Sequence, residues 1–165
     1  MSDQTPQENP SAPEAPQPTP RAAALKLNKP TVTYILMGLI ALFFIAQMLS
    51  IQFLGFDLPA ALLSKSRSAI LSGQLWRLIT PVLLHGSVLH VGLNMYALWI
   101  LGRQLESIYG HWRFLALFLV AGFGGNVLSF VLSPYNSLGS STGIFGFLAP
   151  EVLLILQNRQ LHERY

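Results

Sequence analysis

Ten consecutive residues, His85 to Asn94, read H-G-S-V-L-H-V-G-L-N inside an otherwise apolar stretch, with Trp76-Arg77 just before them. A second polar cluster, Gly139-Ser140-Ser141-Thr142-Gly143, opens a later apolar stretch. Polar side chains are costly in hydrocarbon and persist where they face a bundle interior, do chemistry or join helices. On a helix, His90 and Asn94 are four apart and share a face. They can donate two hydrogen bonds to one point, as an oxyanion hole does. His85, about 140° round the axis from His90, belongs at the mouth of that helix, holding the preceding loop. Ser141 would start a helix, where unpaired N–H groups and the dipole favour an attacking oxygen and the oxyanion it creates. These are the parts of an acyl-transfer site. Each has a plainer reading: a single intramembrane His or Asn joins helices, and Ser140, Ser141 and Thr142 cap one.

The elements that must carry these residues are apolar helices. Of 165 residues, 52% are hydrophobic and 10% charged, against roughly 25% charged in soluble domains. Uncharged runs extend over Pro30–Phe56, Leu78–Gly102 and Phe114–Pro150. About 20 apolar residues cross the hydrocarbon core. The first two runs suit one crossing each. The third is broken by Ser133-Pro134-Tyr135-Asn136-Ser137, a turn signal, and gives two. The expectation is an all-α membrane protein, a polytopic bundle with helix cores near 32–53, 83–102, 114–132 and 141–157. Gly139, Gly143 and Gly146 would allow close helix approach, as would Ala121 and Gly125.

Charge sets the expected orientation. With the N-terminus cytoplasmic, Arg21, Lys26, Lys29, Arg103, Arg113, Arg159 and Arg164 lie inside, and only Lys65, Arg67 and Arg77 outside, as the positive-inside rule favours. The net charge of +3 then faces anionic lipid, and no nucleic-acid partner is needed to explain it. Residues 1–30 hold seven of the eleven prolines and read as a disordered cytoplasmic tail. The apolar run after Pro30 is too long for a signal-peptide h-region. With no cysteine, thiol chemistry is excluded. Residues 54–80 read as short helices lying in the outer interface, anchored by Trp76.

On this orientation the second and fourth helices both run inward, so His90, Asn94 and Ser141 fall at one depth near the outer face. The residues then resemble the rhomboid family of intramembrane serine proteases. The match runs through Trp76-Arg77, His85-x4-His90-x3-Asn94, Gly102 with Leu105-Glu106, the run Ala121 to Gly125, and Gly139 to Gly146. It covers about residues 31–158.

The resemblance implies the first four helices of a six-helix core. It makes Ser141 the nucleophile, with His90 and Asn94 helping its backbone N–H to bind the oxyanion. It gives His85, Trp76, Arg77 and Glu106 a structural part, shaping the outer loop and its join to the core. The family's base is a histidine from a sixth helix, in an Ala-His-x-Gly-Gly-like motif. His111 and His162 do not match it, so the chain is expected to be incomplete at its C-terminus and inactive by itself. Two departures stand out: Thr142 where the family has glycine, crowding the site, and Pro150-Glu151, a kink and a buried charge that needs a partner.

The leading expectation is thus an endopeptidase cutting transmembrane proteins near the outer face, in a multi-pass protein of the bacterial cytoplasmic membrane, without metal or cofactor. Its partners would be transmembrane substrates and the lipid bilayer. Ser141 would be the indispensable serine, and Ser140 replaceable. The alternative is a rhomboid-like scaffold that binds transmembrane helices without cutting them. A channel or transporter is disfavoured, because the first three helices carry no deep charge and no inverted repeat is visible.

Overall fold

The computed structural model describes residues 28–153 and Leu156, and among these all regular elements are helical. Helix α1 spans Thr31–Leu54, α2 Leu58–Leu63 and α3 Arg67–Leu71; two 3₁₀ turns follow, at Leu75–Leu78 and Thr80–Leu83. Helix α4, Val88–Ala97, runs through a π turn at Leu98–Gly102 into α5, Arg103–Tyr109. Helix α6 spans His111–Leu132 and α7 Ser141–Phe145, with a further helical stretch over 148–153. Of the tail expected over residues 1–30, only Asn28–Pro30 are described; there the Asn28 amide donates to the Ser107 carbonyl at 3.0 Å. His162 also lies outside the described residues.

Two helices, Thr31–Leu54 and His111–Leu132, are long and apolar enough to cross a membrane. Each buries one narrow stripe. On α1 it is Thr33, Leu36, Ile40, Gln47 and Ser50, spaced by threes, fours and sevens, which keeps them on one face. On α6 it is Phe114, Phe118, Gly122 and Asn126, every fourth residue. The other faces leave Leu42, Ile45, Val120 and Val131 at least 55% exposed. An apolar surface this continuous suits lipid and not water. The stripes meet a shared core of Leu36, Ile40, Val82, Leu98, Leu105, Phe114, Phe118, Ile144 and Phe147.

The helix expected from residue 83 starts at Val88, because 80–83 is a 3₁₀ turn containing Pro81 and only Ser87 caps the helix proper, accepting from the His90 amide at 3.1 Å. The fourth helix breaks at Gly146-Phe147, ahead of Pro150. Proline has no N–H for the carbonyl four residues back, so the ladder opens a turn earlier, at Gly146. Glu151 does have a partner: Gln104 Nε2 donates to its Oε1 at 2.8 Å.

Helix α6 and the segment from Ser141 to Gly146 approach so closely that one partner of each contact is glycine. A Cβ on Gly146 would stand 2.2 Å from that of Ala121, and one on Gly125 2.6 Å from that of Thr142. Thr142 therefore presses into the space Gly125 leaves on α6.

Candidate active site

The segment between α1 and α4 is fastened first. At the end of α2 the carbonyls have no helical partner, and donors from residues 76–80 take them one after another. Arg77 donates to Ala61 O and Ser64 O at 2.8 Å each. Trp76 Nε1 reaches Leu62 O at 3.2 Å and Thr80 Oγ1 reaches Leu63 O at 2.7 Å. Arg77 is buried, whereas Trp76 is half exposed.

Lys65, read from sequence only as an outer charge, is wholly buried. Its ammonium donates to Ser129 O at 3.2 Å, Ser133 O at 3.0 Å and Tyr135 O, where α6 ends. A cation is favoured at a helix C-terminus. The Lys65 and Ser137 backbones also pair in a short antiparallel bridge. Residues 133–137, which lead into the serine cluster, are thus held from Lys65, between α2 and α3.

The next residue with a special conformation is Gly139. Its φ is +128°, and a Cβ there would meet the His90 ring at 2.8 Å and the Ser141 hydroxyl at 3.7 Å. Glycine is the residue that fits both the backbone and the space. Its amide donates to Pro81 O at 2.8 Å, and Ser141 begins α7. His90 and Ser141 therefore flank the same glycine. Asn94 and Ser141 line one groove, about 290 Å³, with Leu93, Ala97, Leu101, Ile144, Phe145 and Leu148. Gly143 behind Ser141 is buried against Phe118.

The hydrogen bonds of the cluster run through the neighbouring serine. Ser140 Oγ donates to Asn94 Oδ1 at 3.1 Å and lies 3.2 Å from His85 Nε2. Asn94 Nδ2 donates to the His90 carbonyl at 2.9 Å. His85 is fully buried, edge-on to His90 with ring centres 5.0 Å apart. Its amide donates to Gln47 Oε1 at 3.0 Å, and Gln47 Nε2 reaches Asp57 at 2.7 Å. Gln47 went unremarked in the sequence, although a carboxamide in the middle of an apolar run is itself a signal.

Glu106 corrects the sequence reading. It does not shape the outer loop. It sits at the opposite end of α1, accepting from the Val32 and Thr33 amides and the Thr33 hydroxyl at 2.7 Å each, and pairing with His111. A 24-residue helix is about 36 Å long, so Glu106 is remote from the serines. Thr142 likewise faces α6 and does not narrow the groove.

The family model described as the Rhomboid domain matches residues 72–165, more than half of the chain. The chain belongs to the rhomboid family. Rhomboid protease GluP of Bacillus subtilis (strain 168) is 38% identical over 143 residues, covering 87% of this chain and 28% of GluP. Putative rhomboid protease YdcA of the same organism is 31% identical over 127 residues, 72% of this chain and 64% of YdcA. Rhomboid-like protease 3 of Toxoplasma gondii is 38% identical over 86 residues, 50% of this chain and 33% of that protein. The chain spans less than two thirds of the length of each. Family and lipid-facing helices together make this rhomboid an integral membrane protein with a helical bundle. Among the described residues no group of His, Cys, Asp and Glu could hold a metal ion.

Proposed function

We propose that this rhomboid is an intramembrane serine endopeptidase that cuts transmembrane segments of other proteins near the outer membrane face. The observation that carries this reading is the apolar groove shared by Ser141 and Asn94, with His90 against Gly139 beside them. A groove of that kind accepts an apolar segment and sets its carbonyl against a hydroxyl. Ser141 Oγ attacks the carbonyl carbon, and the oxyanion is met by the Ser141 N–H, His90 and the free amide hydrogen of Asn94. The base that takes the Ser141 proton is, in this reading, the histidine of an Ala-His-x-Gly-Gly motif. His111 is at the far end of the bundle, beside Glu106.

The same reading makes Val88–Gly102 and the helix from Ser141 two further crossings, four in all. The N-terminus is then cytoplasmic, in a protein of the bacterial cytoplasmic membrane. Trp76, Arg77 and His85 keep a structural part, as do Gly139 and Gly143.

One observation favours the non-cleaving scaffold: among the described residues the cluster's hydrogen bonds pass through Ser140 and none through the Ser141 hydroxyl. The two readings separate on cleavage of a model transmembrane substrate by the protein expressed from its intact gene. Ser141→Ala abolishes cleavage and fluorophosphonate labelling, and Asn94→Ala slows cleavage by about 10²–10³-fold. A folded wild-type protein that neither cleaves nor labels is the scaffold. Cleavage that survives Ser141→Ala removes the assignment of the nucleophile.

A further inference from the structure

We propose that Ser140 is a positioning residue whose hydroxyl sets the direction of the Asn94 carboxamide and so keeps an amide hydrogen pointed at the developing oxyanion. This rests on the endopeptidase reading above and revises the expectation that Ser140 can be lost without effect.

Ser140 occupies the N-cap position of α7, where a serine ordinarily accepts a hydrogen bond from its own helix. It makes no such bond. The side chain is fully buried, and its oxygen bridges two other elements instead, Asn94 Oδ1 at 3.1 Å and His85 Nε2 at 3.2 Å. A hydroxyl has one hydrogen and two lone pairs. With His85 Nε2 protonated, the ring donates to Oγ and the hydroxyl hydrogen goes to Asn94. The Ser140 amide, 3.5 Å from the same nitrogen, is the longer contact. His85 is in turn anchored to α1 through its amide and Gln47.

A carboxamide turned by half a revolution fills almost the same volume with oxygen and nitrogen exchanged. In the observed orientation Oδ1 faces Ser140, and Nδ2 gives one hydrogen to the His90 carbonyl. The other hydrogen remains for an oxyanion. In the reversed orientation Asn94 presents lone pairs where negative charge develops, and opposes the reaction. Ser140 favours the first together with the His90 carbonyl, which can only accept: the Ser140 hydroxyl hydrogen can be accepted by the oxygen of Asn94 and not by the amide nitrogen. The effect belongs to the transition state and is expected in kcat, with KM little changed.

The test is a double-mutant cycle on the protein expressed from its intact gene, with Ser141→Ala as the control for the reaction itself. Ser140→Ala lowers kcat about tenfold, the scale of one hydrogen bond, and leaves KM within about twofold. In the Asn94→Ala background the same substitution has no further effect, because the group it orients is gone. Ser140→Thr, which keeps the hydroxyl, recovers the rate. If the alanine variant fails to fold, Ser140→Cys, a weaker donor, gives the same comparison. Wild-type kcat in Ser140→Ala, or equal losses with and without Asn94, overturns the proposal while leaving the endopeptidase in place. Cleavage that persists in Ser141→Ala overturns both.

Discussion

Glu106 caps a helix to which it does not belong: its carboxylate takes both the amide and the hydroxyl of Thr33, at 2.7 Å each. Helix α1 has Pro30 at its N-cap and no side-chain cap of its own, so this contact joins the start of α1 to α5. Burial alone would raise the pKa of Glu106. The hydrogen bonds from Thr33, His111 and Val32 outweigh it and hold the carboxyl below its ordinary value of 4.5.

Glu106→Gln keeps the shape and removes the charge. The expected loss is about 1.5–3 kcal/mol, the range for a hydrogen bond to a charged group, read as a lower unfolding midpoint in detergent at neutral pH. A depressed carboxyl stabilises the fold above its ordinary pKa of 4.5 and loses that contribution as pH falls through the lowered value. The gap between wild type and Glu106→Gln therefore narrows below pH 4.5. A gap that widens with acid contradicts the assignment.

Lys65→Met replaces the buried ammonium by an apolar chain of similar length. Ser129, Ser133 and Tyr135 then lose their donor. Asn136→Cys in that background is expected to react faster with a water-soluble maleimide than in the wild-type background. Equal rates show that the backbone bridge at Ser137 alone holds the loop.

Gly125→Ala places a methyl 2.6 Å from the Thr142 side chain. Overpacking of this kind costs about 1–3 kcal/mol. Thr142→Gly in the same chain removes the opposing atoms and restores most of the loss, so the two changes are strongly non-additive. Additive losses place the Thr142 side chain elsewhere.

For topology, single cysteines at Asn28, Ser66 and Gln160 are expected to label from outside only at Ser66. Outside labelling of Asn28→Cys inverts the orientation and removes the common depth of the site.

The apolar helices were legible because a lipid-facing helix is apolar round most of its circumference, which α1 and α6 show directly. Ser141, His90 and Asn94 were legible as polar residues in apolar runs. What escaped depends on tertiary approach. A lysine in a loop reads as solvated until three carbonyls converge on it, as at Lys65. Ser140 and Ser141 are the same residue type, and only the packing of α7 against α4 gives them different partners. Glu106 was put at the wrong end because a motif says which residues go together and not where along the bundle they lie.

The four carbonyls from Ala61 to Ser64, each bound from Trp76, Arg77 or Thr80, make α2 and the chain before α4 one rigid piece. Gly55, with positive φ, stands between α1 and that piece, whereas Gly73, also with positive φ, lies within it. Any movement of α2 then carries residues 76–80, and the chain that leads from them to His85, along with it.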